Sequence, residues 1–311
     1  MTFLFLVLGF ALLVGGGELL VRGAVALSER LGVSPLLIGL TVVGFGTSTP
    51  ELVTSLQAAA AGAPGIAVGN VVGSNTANIL LILGIAALIS PVAVTRAAFL
   101  RDGGVAALAA LAALAVVLSG TLSRPAGAAL VLGLVAYIVF AWSRERRGAT
   151  PEIAEAPATG GPGPLLAMVF ALGGIGLTIL GARLLVTSAI EIATAWGVSE
   201  AVIGVTIVAV GTSLPELVTA VVAARRGQGD IAFGNVVGSN IYNVFGILGV
   251  TALAAPIPVP AEIVRLDIWV MLAGTAALVA VAATGWRITR GEGGALLAGY
   301  TAYLGWLAYT I

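Results

Sequence analysis

The sequence predicts an all-α integral membrane protein of about ten transmembrane helices, arranged as two inverted five-helix repeats with helices 2 and 7 broken. Three observations lead there. Of 311 residues, 59% are hydrophobic and 9% charged, whereas soluble domains carry roughly 45–50% apolar and about 25% charged residues. So few charges cannot cover a water-facing surface, which excludes a soluble enzyme. The apolar stretches are also continuous, unlike the alternating segments of about ten residues that build an outer-membrane barrel. Finally, one motif-bearing segment occurs twice, 165 residues apart.

At about 20 residues per span, spans are expected near 3–21, 34–60, 66–89, 103–119, 125–142, 164–190, 199–224, 231–254, 266–285 and 294–310. The first has no basic region before it and no small-residue cleavage site, so it is read as a retained helix and not a signal peptide. The second and seventh carry Gly-Thr-Ser-x-Pro-Glu in mid-span, and the third and eighth carry Gly-Asn-Val-Val-Gly-Ser-Asn. The fourth, Ala-rich from Val105 to Val117, reads as scaffold. The tenth ends in Tyr300, Tyr303, Trp306 and Tyr309, an aromatic belt of the kind found at a membrane interface.

The chain divides into 1–143, a hydrophilic linker 144–163 rich in Arg, Glu, Gly and Pro, and 164–311. All 14 basic residues are Arg. With the linker in the cytoplasm, most of them fall on that side, and the positive-inside rule then places both termini outside.

Gly46–Thr54 recurs as Gly211–Thr219, and Gly69–Asn75 recurs letter for letter as Gly234–Asn240. Both copies share the offset of 165, so the chain is a duplicated unit (motif regions 39–84 and 204–249). Five spans per unit is odd, so the second copy enters the bilayer in the opposite direction. Inverted repeats of this kind build transporters, with the site at the midplane where the repeats meet.

Pro50 and Pro215 lack an N–H, and their rings collide with the carbonyls of Gly46 and Gly211 four residues back. Broken helices with free carbonyls near 44–47 and 209–212 are expected, buried in protein or lining a polar cavity. Beside each break lies a carboxylate, Glu51 and Glu216. A charge at the bilayer centre costs at least ~2.5–3.5 kcal/mol, so each marks a candidate functional site. Thr47, Ser48, Thr212 and Ser213 add hydroxyls. Ser74 and Asn78 share a helical face, as do Ser239 and Asn243. There is no Cys and no His, which removes the thiolate and imidazole ligands of zinc, copper, haem and iron–sulfur sites. What remains is an oxygen set suited to hard cations. Glu18 and Arg183 hold equivalent repeat positions and are read as structural, a pair or two helix-end residues; Glu191, Glu200 and Asp267 are read as interfacial.

At these motifs the sequence resembles the cation/Ca²⁺ antiporter superfamily, and within it the prokaryotic Na⁺/Ca²⁺ exchangers. The resemblance covers nearly the whole chain. It implies a secondary antiporter working by alternating access, in which the first and sixth helices slide across the core. It implies Ca²⁺ ligands at Glu51, Glu216, Thr47 and Thr212, Na⁺ sites that add the Gly44 and Ala209 carbonyls with Ser48, Ser213, Ser74 and Ser239, and Asn78 and Asn243 lining the centre. The family's usual 3:1 exchange is electrogenic, and Ca²⁺ export across a prokaryotic inner membrane is expected. Asn at 243, where K⁺-dependent relatives carry Asp, argues against K⁺ coupling. Val71, Val72, Val236 and Val237 stand where the H⁺-coupled branch carries an extra acid. The implied partners are Na⁺, Ca²⁺ and the lipid bilayer, with no cofactor, no nucleic acid and no obligatory protein partner. H⁺/Ca²⁺ exchange through protonation of Glu51 and Glu216 is the nearest alternative; an intramembrane enzyme using both glutamates and a passive channel are more distant ones.

Overall fold

The computed structural model describes residues 1–63, 65–96, 99–148, 162–197 and 209–310. The middle of the linker with Glu152 and Glu155, and the start of the expected seventh span with Ser199, Glu200 and Gly204, lie outside the described residues.

The chain is helical almost throughout: α1 Thr2–Leu31, α2 Pro35–Thr47, α3 Thr49–Ala60, α4 Gly65–Ile89, α5 Phe99–Leu118, α6 Arg124–Gly148, α7 Pro164–Ala195, α8 Leu214–Arg225, α9 Gly229–Ala254, α10 Ile263–Ala283 and α11 Arg290–Thr310. Among the described residues, seven of these are long and apolar enough to cross a bilayer, and α2 with α3, bent by 41°, makes an eighth crossing. α8 is the described part of the expected seventh span and α11 covers the tenth. α1 and α7 run to 30 and 32 residues, well past their expected ends. α1 stops where Gly32 turns left-handed at φ 64°, its last turn closed by the Val33 N–H donating to the Ser28 carbonyl. Ser34 then caps α2, accepting from the Leu37 N–H at 3.3 Å, with Pro35 in the first turn.

Burial sorts the helices into an inner and an outer set. In α4 and α9, 72% and 83% of the most apolar stretch is buried, against 33% in α1 and α7. α4 and α9 therefore form the centre, with α2 and α8 largely buried against them; α3 buries only Glu51 and Ser55, and the motifs lie on these five helices. Backbones approach closely where glycine removes the side chain. A Cβ on Gly234 would sit 2.7 Å from the Leu36 carbonyl, and one on Gly238 would run into the Leu40 carbonyl, so α2 crosses α9 almost backbone to backbone. α1 and α7 pair along their length in the same way. Gly9, Gly16 and Gly23 face Gly181, Thr178 and Ala171, with a Cβ on Gly16 falling 2.7 Å from the Thr178 nitrogen.

The two halves are interlocked. The last helix of each packs on the central helix of the other: a Cβ on Gly127 of α6 would lie 2.7 Å from the Ala252 Cβ of α9, and one on Gly293 of α11 would lie 2.8 Å from the Ala87 Cβ of α4. Two short antiparallel ribbons also join the halves, β1 Val92–Ala93 with β4 Arg287–Ile288 and β2 Thr121–Leu122 with β3 Ile257–Pro258. These contacts are images of each other at an offset of 165 before β2 and 166 from β2 onward, as Ala93↔Arg287 and Thr121↔Pro258 show. The buried Asp102 accepts from the Tyr137 hydroxyl at 3.1 Å, and its image Asp267 accepts from the Tyr303 hydroxyl at 2.8 Å. Asp267, expected to be merely interfacial, thus ties α10 to α11.

The close α2–α9 crossing predicts that Gly238→Ala, which adds one methyl against the Leu40 carbonyl, destabilises the protein by about 1–3 kcal/mol. Gly299→Ala, with no heavy atom within 4 Å among the described residues, should leave stability unchanged or slightly raised. Thermal unfolding of the two purified variants in detergent checks both.

Candidate cation-binding site

The geometry at the two breaks is the same. Ser48 has φ −83°, ψ 10° and Ser213 φ −89°, ψ 10°, values between helix and extended chain. Ser48 directly follows one helical segment and precedes the next, Ser213 comes two residues after the turn Ala209–Gly211 and precedes Leu214–Arg225, and at both breaks proline stands in the first turn of the following segment. The glutamate follows in the same first turn, so backbone N–H groups and the helix dipole face its carboxylate. Before the break at Ser213 the described chain begins with the turn Ala209–Gly211, and the Ala209 side chain lies outside the described residues.

These segments bring the two carboxylates together. Ser48 donates to Glu216 Oε1 at 2.8 Å, and Ser213 donates to Glu51 Oε1 at 3.4 Å. Each serine thus reaches across to the other half's glutamate. Both glutamates are 1% exposed. The ion pairs among the described residues are Arg22–Glu18, Arg226–Glu18, Arg101–Asp102 and Arg101–Glu145, so no arginine neutralises either carboxylate. The single proton of the Thr47 hydroxyl is shared between acceptors within reach, the Val43 carbonyl at 3.0 Å and Asn235 Oδ1 at 3.2 Å. Thr212 is half-buried and lines a cleft with Gly211, Thr49 and Pro50.

A ring of asparagines closes the centre. Asn78 donates to Asn240 Oδ1 at 2.9 Å and Asn243 donates to Asn75 Oδ1 at 2.9 Å. Asn75 and Asn240 donate to each other's backbone carbonyls at 3.2 and 3.4 Å. Asn78 and Asn243 each lie at the start of a π-helical stretch, Asn78–Leu83 and Tyr242–Leu248. Such wide turns concentrate at functional sites, because they re-aim side chains without ending the helix. Ser74 is buried one turn before Asn78, and Ser239 donates to the Gly44 carbonyl at 3.1 Å.

The expectation of free carbonyls before the break needs correction at Gly44. Its oxygen accepts from the Ser48 N–H at 3.2 Å as well as from Ser239. The reason is the close α2–α9 crossing, which puts a hydroxyl of one motif against the backbone of the other. Sequence reasoning also passed over Asn70, Asn75, Asn235 and Asn240. Asn70 and Asn235 donate to the carbonyls of Glu51 and Glu216 at 3.1 and 3.2 Å, holding the glutamate segments from behind. The signal was present, since all four lie in the letter-for-letter repeat.

Among the described residues, five buried side-chain atoms have no hydrogen-bond partner, and four of them are Glu51 Oε2, Glu216 Oε2, Asn78 Oδ1 and Asn243 Oδ1. All four are oxygens, arranged as two symmetry-like pairs. Each belongs to a group whose other polar atom is already anchored by the opposite half. A buried unsatisfied acceptor costs about 1–3 kcal/mol, and more when charged. A hard cation bound by oxygen satisfies such a set. The described residues hold no cluster of three or more acidic, His or Cys ligands, so two negative charges and several neutral oxygens are what the centre offers.

The two halves are not identical around it. Phe45 stacks on Tyr242 with ring centroids 4.6 Å apart, whereas the equivalent positions hold Val210 and Ala77. Glu18 pairs with Arg22 and Arg226, so the expected alternative of a Glu18–Arg183 pair is not formed. Replacing Asn240 by Ala would strand the Asn78 amide nitrogen in a buried site. We expect a loss of about 1–3 kcal/mol, read as a lower melting temperature, with a matching loss for Asn75→Ala.

Comparison with known proteins adds the family. Residues 1–143 and 166–309 match the family described as sodium/calcium exchanger protein. The sodium/calcium exchanger MaX1 of Methanosarcina acetivorans is 36% identical over 348 residues, covering 99% of both chains. The inner membrane protein YrbG of Escherichia coli K12 is 40% identical over 261 residues, covering 81% of this chain and 79% of YrbG. The solved structure of the sodium–calcium exchanger NCX_Mj soaked with Na⁺ and Ca²⁺ superposes with a TM-score of 0.84 at 33% identity, covering 98% and 97%. With two full-length motif copies, two buried glutamates and a shared helical membrane fold, the chain belongs to the sodium/calcium exchanger protein family.

Proposed function

We propose that this protein exchanges Na⁺ for Ca²⁺ across a prokaryotic inner membrane by alternating access, in the direction of Ca²⁺ export. The observation that carries the reading is the set of four unpartnered oxygens on Glu51, Glu216, Asn78 and Asn243, buried between two copies of one motif. Ca²⁺ takes six to eight oxygens and tolerates irregular geometry, which fits two carboxylates surrounded by amides, hydroxyls and carbonyls. In this assignment Glu51, Glu216, Thr47 and Thr212 hold Ca²⁺. Ser48, Ser213, Ser74, Ser239 and the carbonyls of Gly44 and Ala209 contribute to Na⁺ sites. The Gly44 carbonyl joins such a site by sharing its oxygen with, or exchanging it for, the Ser239 hydroxyl. Asn78 and Asn243 line the centre, and Asn75 and Asn240 position them.

Charge balance supports exchange. Two ionised glutamates match one Ca²⁺ or two Na⁺, and the two loads compete for the same oxygens. A third Na⁺ then binds mainly neutral oxygens and carries one net charge per cycle. An inward Na⁺ gradient and an inside-negative membrane both drive this stoichiometry toward Ca²⁺ export. The glycine-lined seam of α1 and α7, lying across the broken helices, suits a pair of helices that moves as a unit over a fixed core. The arginine distribution supports an orientation with both termini outside and the linker in the cytoplasm.

Two measurements test this. Proteoliposomes loaded with Na⁺ should take up ⁴⁵Ca²⁺ only while the outward Na⁺ gradient lasts, and Glu51→Gln or Glu216→Gln should reduce uptake at least 100-fold. Uptake sustained by a pH gradient without Na⁺ would instead establish proton coupling. In the same vesicles three Na⁺ leave for each Ca²⁺ that enters, so positive charge moves outward. An inside-positive potential should therefore accelerate uptake, with a driving force of about 2.3 kcal/mol per 100 mV. A rate indifferent to the clamped potential would rule out the 3:1 ratio.

A further inference from the structure

A cleft of about 400 Å³ runs between α3 and α7 down to the second break, lined by Thr49, Pro50, Val53, Thr54 and Gln57 on one wall and by Ile179, Ala182, Arg183 and Val186 on the other. Gly211 and Thr212 form its floor. Gln57 lies in the last turn of α3, so the cleft extends to the end of that helix remote from Ser34, the residue whose N–H donates to Glu145 at the start of the linker. Among the described lining residues Arg183 alone is charged. It is exposed, lies deep within α7, and has no ion pair or hydrogen bond to another described residue. Its position relative to the site is fixed by its neighbours. Ile175 packs on Gly46 and Val186 on Gly211, the glycines preceding Thr47 and Thr212. Ile175, Ile179, Arg183 and Val186 follow one helical stripe, so the Arg183 backbone stands about one turn, roughly 5 Å of rise, from the residue that seals Gly211. The nearest acid on the same helix, Glu191, lies two turns on and accepts from Thr2.

A fixed positive charge beside a path for cations needs a reason, because it opposes their approach. We infer that Arg183 is a specificity-determining residue of this cleft, raising the half-saturating concentration of cations from that face, and of Ca²⁺ more steeply than of Na⁺. The inference rests on the exchange reading above and deepens it. The physics is the valence rule. A local positive potential that weakens Na⁺ binding by a factor f weakens Ca²⁺ binding by f², since the Coulomb energy scales with ionic charge. At about 10 Å and water-like permittivity, f is roughly 2, so Ca²⁺ is disfavoured about fourfold. Screening removes the effect once the Debye length falls well below that distance, to about 3 Å at 1 M salt. The equivalent position in the other half carries Glu18, held by Arg22 and Arg226, so this electrostatic selection acts in one half only.

The test uses the full chain in proteoliposomes and measures half-saturating Ca²⁺ and Na⁺ for exchange in wild type, Arg183→Gln and Arg183→Lys. We expect Arg183→Gln to lower the Ca²⁺ value about fourfold and the Na⁺ value about twofold, with the ratio of shifts following the square. Arg183→Lys should stay close to wild type, and the difference between wild type and Arg183→Gln should vanish as choline chloride approaches 1 M. A structural or lipid-anchoring arginine would instead change maximal rate, shift both ions equally, or shift neither; each of these outcomes overturns the inference while leaving exchange itself intact. A wild-type protein that moves no Ca²⁺ on a Na⁺ gradient overturns the exchange reading and this inference with it.

Discussion

Two carboxylates buried at the centre of a membrane protein, with no arginine paired to either among the described residues, set the terms for everything around them. A basic partner is the usual means of stabilising such groups when they are buried, and among the described residues none pairs with Glu51 or Glu216. It offers one hydroxyl from the opposite half to one oxygen of each carboxylate and leaves the second oxygen unpartnered. The asparagines behave alike, their amide nitrogens anchored and their oxygens open. Donors are spent on holding the groups in place, and acceptors are left open.

The rest of the architecture follows from building that centre twice. A proline two residues after the serine lets the helix restart, so that the glutamate falls in a first turn. Glycines at the α2–α9 crossing let the motifs come close enough for Ser239 to reach the Gly44 carbonyl. The π-helical stretches beginning at Asn78 and near Asn243 turn those amides inward without ending their helices. Because each half completes the other's site, neither is an independent domain. The exchanged outer helices α6 and α11 and the two ribbons lock the halves together at both ends of the core.

The outer pair α1 and α7 obeys a different rule. It contacts the core through small and aliphatic side chains such as Gly17, Ile175 and Val186, and the ion pair of Glu18 with Arg226 joins it only to the exposed end of α8, away from the glutamates. Van der Waals packing of this kind is tolerant of sliding, whereas the asparagine ring is not, since shifting it would strand several buried amides at once. The division between a rigid hydrogen-bonded core and a smooth outer pair is what alternating access requires.

The sequence by itself determined the membrane class, the duplication, the two break points and the residues Glu51, Glu216, Asn78 and Asn243. These are consequences of composition, period and local chemistry: an apolar run, a proline in mid-span and a charge where charge is costly are legible one segment at a time. Only the tertiary structure decided which atoms meet. That Ser48 serves Glu216 and not Glu51, that Asn75 and Asn240 brace the ring, that the Gly44 carbonyl is engaged, and that Glu18 turns to Arg226 while Arg183 faces a cleft all depend on how helices more than 150 residues apart in sequence cross. Such pairings are set by glycine-permitted approach and by the satisfaction of buried polar groups, and neither leaves a mark in the periodicity of a single helix.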